Sequence, residues 1–354
     1  MVKRILKWIG IVILVIAVLF AVLLLVLTVT EYKPKDEEDI AISGNASAEI
    51  ASGDSLTILS WNTGYCGLGN TADFFMDGGK SVRENTKSEV EGNLTGIEDT
   101  IRQEDPDVVF LQEVDKKAKR SYGINEVSGI AGAFPQMENM FAENYKVLYI
   151  PYPIPPMGHV DAGIMTLTSY SAESAERIQL PCPFSWPYRL GNLKRCLLVT
   201  RIPVQGSDKE LVLVNLHLEA YDDGEGKAAQ TKQLAQFLQS EYEKGNYVIA
   251  GGDFNQVFSG TDTSMYPQVS DDLWKCGTLD ESQFSDSLQF EMDNSTPTCR
   301  SLDRAYKGSE GDFQYYMIDG FLVSDNVEVS SMETLDKEFE HSDHNPVEMK
   351  VTLK

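Results

Sequence analysis

Hydrophobic and polar positions divide the chain into three unequal stretches. Residues Ile9 to Val29 read IGIVILVIAVLFAVLLLVLTV, without a single charge. At about 1.5 Å per residue, such a run spans a hydrocarbon core of about 30 Å as one helix. From Glu31 to Gly53 the pattern dissolves into polar and small residues around Pro34, which predicts an extended or flexible spacer. Beyond Asp54, short apolar runs alternate with amphipathic ones, as in mixed α/β structure rather than a helical bundle or a pure β-sandwich. The expected organisation is an amino-terminal tip and membrane anchor over 1–30, a linker over 31–53 and one folded domain over 54–354, a length that a single α/β core can serve.

Within the domain, the runs LTILSWN, DVVFLQE, ELVLVNLHL, YVIAGGDFN and YYMIDGFLV read as buried strands. Glu84 to Glu104 and Lys227 to Glu243 have helical spacing, the second with Ala228, Leu234, Ala235 and Leu238 able to share a face. Several strand runs end in polar residues: Asn62, Glu113, Asn215 with His217, and Asp253 with Asn255. Any one of these alone is more often a strand cap or turn residue. Taken together they invite a shared site, because strand ends on one rim hold side chains rigidly at the solvent edge.

Charge narrows the picture. Lys3, Arg4 and Lys7 precede the apolar run, and Asp36 to Asp39 follow it closely. The positive-inside rule therefore predicts a single-pass protein of the cell membrane, with its amino terminus cytoplasmic and its folded domain outside. A cleaved secretory signal is the competing reading, but its apolar core is shorter and a small-residue cleavage site follows it, whereas TVTEYKPK follows here. The formal net charge of -24 removes the long-range attraction on which nucleic-acid affinity depends. Nucleic acid is thus the weaker expectation as a partner, although acidity also serves plain solubility. The five cysteines form no CxxC pair, which excludes a zinc ribbon. Disulfides between Cys182 and Cys196 or Cys276 and Cys299 stay open alongside buried free thiols.

Taken in order, SWNTGY, VVFLQEVD, VNLHLEA, AGGDFNQVF, MIDGFLVS and HSDHNPV resemble the motifs of the endonuclease/exonuclease/phosphatase superfamily. The resemblance implies a four-layer α/β sandwich of the DNase I-like kind, two packed β-sheets with outer helices, here preceded by one transmembrane helix. It implies metal ligation by Asn62, Glu113 and Asp343, and hard oxygen donors of this type suit Mg²⁺ or Mn²⁺ rather than zinc. It further implies catalytic roles for His217, Asp253, Asn255, Asp319 and His344. Asp253 would orient or deprotonate water, Asp319 would fix the His344 tautomer, and Asn255 and His217 would contact the phosphate.

Arg195 is a further candidate for phosphate, with a surface salt bridge as the equal alternative. The superfamily's serine-arginine pair after the middle strand reads Ser169-Tyr170 here, so any contact from that arginine is in doubt, and Tyr170 could instead pack against substrate. His159 with Asp161 is a weaker rim candidate, and His341 is expected to flank the site without a role. The glycine-rich segment Cys66 to Val82 lacks the P-loop pattern and is either a rim loop or a passive insertion. The expected activity is metal-dependent hydrolysis of a phosphomonoester or phosphodiester, on a phosphorylated small molecule or a lipid head group, by a monomer. An exported nuclease and a non-catalytic binding module on the same fold are the alternatives.

Overall fold

The computed structural model describes residues 1–84, 86–222, 224–308 and 313–354. The apolar run forms helix α1 (Val2–Val29), exposed along nearly all its length. It is long and apolar enough to cross a membrane. Three short strands follow, β1 (Glu37–Asp39), β2 (Ser43–Gly44) and β3 (Ile50–Ala51), then β4 (Ser55–Asn62), helix α2 (Lys87–Glu104), β5 (Val108–Asp115) and helix α3 (Glu126–Ala133). The middle of the chain forms β6 (Glu138–Ile150), β7 (Gly158–Thr168), β8 (Ser174–Gln179), β9 (Cys196–Gln205), β10 (Glu210–His217), helix α4 (Glu225–Glu243) and β11 (Tyr247–Asp253). The remainder adds β12 (Gln256–Val257), β13 (Gly277–Thr278), β14 (Leu288–Glu291), β15 (Cys299–Arg300), β16 (Tyr315–Tyr316), β17 (Asp319–Ser324), β18 (Val327–Thr334) and β19 (Val347–Leu353).

Two mixed sheets result. The first runs β18-β19-β4-β5-β7-β6-β2; the second runs β1-β8-β9-β10-β11-β17-β14, with β3 beside β9. Their facing sides bury one apolar layer, including Ile58, Phe110, Leu213, Ile249, Phe321 and Met349. A second layer, with Trp61, Val90, Ile97 and Leu111, joins the first sheet to α2 and α3. A third joins the second sheet to α4 through Leu234 and Leu238. The order is therefore helix, sheet, sheet, helix, the expected four layers. Burial on both faces explains why the central strands read as continuous apolar runs rather than alternating ones.

Local chemistry explains the helix limits. Thr86 caps α2 in a reciprocal box with Glu89, so the helix starts three residues later than the pattern alone suggests. In α4, Leu234, Ala235 and Leu238 are buried as expected, but Ala228 is exposed, and Gln230 and Glu241 fill the inner face instead. Arg201 and Asn246 pair with Glu241 and make its burial tolerable.

The segment 31–53 differs from the predicted flexible spacer. It lies along the edges of both sheets: β1 pairs with β8, β2 with β6 and β3 with β9. Ile40 and Ile42 pack against one apolar cluster and Ile50 is fully buried in the core. Three isoleucines spaced among small polar residues provide the edge-strand anchors that composition alone conceals. All five cysteines are free thiols.

Candidate active site

The second sheet presents a row of chemistry through register alone. His217 closes β10, Asp253 closes β11 and Asp319 opens β17. His217 lies opposite Asp253, and Asp253 opposite Asp319, so the three side chains share one face. Gly251 and Gly252 make this approach possible. A Cβ on Gly251 would meet the Phe321 ring at 2.3 Å, and one on Gly252 would meet the Leu216 carbonyl at 2.0 Å.

The first sheet reaches the same point by a distortion. Register between β5 and β7 shifts between Leu111 and Val114, leaving Gln112 and Glu113 in a bulge with Glu113 at φ 55°. A bulge re-aims a side chain that regular pleating would send elsewhere. A glutamate held left-handed without a turn to require it is strained, by about 1–3 kcal/mol, a cost that concentrates at functional sites.

Asn62 joins the sheets. Its Nδ2 donates to Asp253 Oδ2 (3.0 Å) and to Glu113 Oε1 (3.2 Å), while its Oδ1 accepts from Gly64 N (3.0 Å). His344 enters from the segment before β19, its Nδ1 hydrogen-bonded to Asp319 Oδ2 at 2.8 Å and its Nε2 3.9 Å from Asp253 Oδ2. Trp61 Nε1 donates to the His344 carbonyl (2.8 Å) and fixes that segment. His217 Nε2 stands 3.3 Å from Asp253 Oδ2, and its Nδ1 has no partner although buried. Asn255 N donates to Asp253 Oδ1 (2.8 Å) and its Nδ2 to the Leu218 carbonyl (2.9 Å). Asp343 is buried beside Gly64, where a Cβ would come within 2.9 Å of its Oδ1.

Electrostatics separate the two histidines. Burial works most strongly against charge on His344, but Asp319 and Cys299 together outweigh it and hold the imidazole well above its usual range. His217 is driven the other way, by burial and then by Arg195. Burial, reinforced by Asp319, lifts Asp253 to about 7. Burial lifts Asp343 to about 6, opposed by His344 and reinforced by Glu113. Neighbouring groups pushed in opposite directions are the arrangement that acid-base chemistry at neutral pH uses.

Glu113, His217, Asp253, Asn255, Asp343 and His344 line one cavity of about 160 Å³, and Asn62 and Asp319 touch residues that do. Arg195 lines it too; its Nε and Nη1 are buried without hydrogen-bond partners, with Glu219 3.7 Å away. The glycine-rich segment is a rim loop, since Phe74, Met76 and Asp77 also line the cavity. Tyr170 is not at the site: it is buried in the layer between the sheets, bridged to Ala48, because the chain after β7 turns inward at the opposite strand ends. His159, Asp161 and His341 are absent from the lining.

Several lining residues escaped the sequence pattern. Arg120 forks onto Asp115 (2.9 Å for Nη2 to Oδ1), stacks 3.8 Å over the Tyr65 ring and sits 3.9 Å from Glu113. Asp77 Oδ1 accepts from Tyr221 OH at 3.0 Å across the mouth, and burial lifts Asp77 to about 7. Trp274 and Arg300 complete the wall. The only signal for Arg120 was its place five residues after the VVFLQEVD run; the others come from loops without a pattern.

The donors fit a hard divalent cation. Glu113 and Asp343 bring two carboxylates close enough to raise the proton affinity of Asp343, and Arg120, 3.9 Å from Glu113, is already engaged by Asp115. Other acidic and imidazole groupings, Asp253 with Asp319 and His344, and Cys299 with Asp343 and His344, lie within metal-binding reach of one another. The first of these is tied up in its own hydrogen bonds.

Residues 59–344 match the model of the Endonuclease/Exonuclease/phosphatase family. No curated protein sequence matches the chain. Among solved structures, an endonuclease/exonuclease/phosphatase from Beutenbergia cavernae is similar at 17% identity and TM-score 0.58, over 84% of this chain and 72% of that one. One from Bacteroides vulgatus is similar at 14% identity and TM-score 0.55, over 85% of this chain and 100% of that one. ANGEL2, a 2',3'-cyclic phosphatase in complex with adenosine-2',3'-vanadate, is similar at 16% identity and TM-score 0.56, over 89% and 98% of the two chains. At these identities the likeness is one of fold.

Proposed function

This chain belongs to the endonuclease/exonuclease/phosphatase family, and from that premise we propose that it is a divalent-cation-dependent phosphoester hydrolase. The observation that carries the reading is the placement of Asp253, in reach of two oppositely tuned histidines and tied through Asn62 to Glu113. Glu113 and Asp343 would hold the cation, Mg²⁺ or Mn²⁺, with Asn62 steering Glu113. Such an ion supplies charge neutralisation for the phosphate oxygens when bound.

The chain's own residues supply the rest. Asp253 accepts the proton of the attacking water, a task suited to a carboxylate lifted towards neutrality. Protonated His344, oriented by Asp319, stabilises negative charge on the phosphorus-bound oxygens. Neutral His217, Asn255 and the Arg195 guanidinium, whose Nε and Nη1 have no hydrogen-bond partner, orient the ester. Helix α1 serves as the membrane anchor, and Lys3, Arg4 and Lys7 favour a cytoplasmic amino terminus with the domain outside.

The test is a panel of phosphomonoesters, phosphodiesters, plasmid and RNA with Mg²⁺, Mn²⁺ or Ca²⁺, alongside chelator and Glu113→Gln. Turnover of a small ester is expected, abolished by chelator and reduced about 1,000-fold by Glu113→Gln with the circular-dichroism spectrum preserved. Turnover indifferent to Glu113→Gln would remove that residue from the site. Degradation of plasmid or RNA in preference to small esters would turn the assignment to a nuclease.

A further inference from the structure

Two segments beside the cavity carry no charge: Val147 to Met157, VLYIPYPIPPM, and Gln179 to Tyr188, QLPCPFSWPY. In the fold they are neighbours at the cavity mouth. Met157 lines the cavity at the end of the first, and Asn192 and Leu193 do so just beyond the second. Tyr145 OH donates to the Gly191 carbonyl at 3.1 Å between them. The rim loop closes the ring, with Phe75 edge-on to Tyr152 at 5.6 Å.

These loops turn their apolar side chains outward. Ile154 is 94% exposed, Tyr188 76%, Tyr152 67% and Trp186 51%. Apolar and aromatic side chains exposed together around a cavity mouth mark a surface that something covers.

The structure indicates what covers it. Trp186 Nε1 donates to Thr28 Oγ1 at 3.1 Å, in the last turn of α1. Immediately after the helix, Glu31 is buried against Arg189 (3.1 Å) and Lys194 (3.4 Å) of the same loop. Where α1 leaves the hydrocarbon, Trp186 must therefore stand at head-group level, the depth at which indole and phenol rings are most stable. The net charge of -24 offers no electrostatic pull towards anionic lipid, so the seating is apolar.

We infer that the loops 147–157 and 179–188 seat in the interface of the bilayer that α1 crosses, with the cavity mouth facing the lipid, and that the substrate is a phosphoester in a lipid head group. This rests on the hydrolase reading and on α1 spanning the membrane. The lipid surface presents the ester laterally, and the domain need not detach to meet it.

The test uses the full chain bearing Trp8→Phe, one copy per phosphatidylcholine nanodisc, with lipids brominated on the acyl carbons nearest the head group. Bromolipid quenching of tryptophan emission is expected, and adding Trp186→Phe should abolish most of it. Emission quenched by aqueous acrylamide but not by bromolipid would overturn the seating. So would quenching that appears only at two copies per disc, which would assign the face to a second copy. Discs of phosphatidylcholine, phosphatidylethanolamine, phosphatidylglycerol and phosphatidylinositol phosphates then test the substrate, beside soluble bis(p-nitrophenyl) phosphate. Release of phosphate or phosphorylated head group is expected, reduced about tenfold or more by Tyr152→Ser with Ile154→Asp while soluble turnover stays unchanged. Soluble turnover without release from any disc would overturn the lipid substrate. Loss of soluble turnover in the unaltered chain would instead overturn the hydrolase reading itself.

Discussion

The two sheets furnish the candidate active site in different ways. The second sheet needs no bulge: His217, Asp253 and Asp319 fall opposite one another in three adjacent strands, and once Gly251 and Gly252 let those strands close up, pleating puts them on one face. The first sheet delivers Glu113 only through a bulge and a left-handed backbone. One half of the site is a by-product of regular structure, whereas the other half stores conformational energy. The strained half is also where the cation is expected, so binding of an ion can offset what the apo fold spends there.

The comparison can be broken at its regular half first. Asp253→Asn keeps the size and the register, and should lower kcat about 1,000-fold without lowering the thermal midpoint. A fall of less than about tenfold would show that the row of three is not the catalytic one.

The strained half makes the opposite forecast for stability. Glu113→Gly removes the side chain but accepts φ 55° without penalty, and also removes a charge facing Asp343. In metal-free protein the thermal midpoint should rise by about 2–4 °C, the equivalent of about 1 kcal/mol, although activity is lost. A lower midpoint would mean that the bonds from Asn62 outweigh the strain.

The smallest effect concerns Asp77, which spans the mouth between the two halves. Its folded pKa of about 7 lies above the ordinary carboxylate value. Its neutral form therefore favours the fold at pH below about 4, and that contribution is lost as pH rises through about 7. Asp253 and Asp343 act in the same direction. The midpoint of the metal-free protein should fall between about pH 4 and about pH 7, and Asp77→Asn should remove about 1 kcal/mol of that fall, discounted for partial exposure. An unaltered pH slope in the variant would exclude Asp77 as a contributor.

The difference between the halves also decides what could be read in advance. Asp253, His217 and Asp319 end or begin apolar runs, and a run that must be a buried strand fixes where its polar terminus points. Glu113 was legible by its motif, but not the bulge that aims it, because an extra residue in a strand leaves the apolar pattern of VVFLQEVD unchanged. Arg120, Asp77, Tyr221 and Trp274 were invisible because loops carry no period, and their meeting depends on packing between segments far apart in the chain. Tyr170 was misplaced for a related reason: a motif position says which strand end it follows, not whether the next turn faces the cavity or the core. The segment 31–53 was misread because edge strands of two or three residues fall below any window in which alternation shows.

That same segment bears on how permanently the domain is held. A loose stalk between a membrane helix and a folded head is an easy target for proteases, which cut pliable, exposed backbone. Here the backbone from Glu37 to Ala51 is engaged with β8, β6 and β9 at three places, and Ile50 is in the core. With α1 as the proposed anchor, release of the domain would require stripping edge strands from both sheets, so the domain and α1 are expected to have one lifetime.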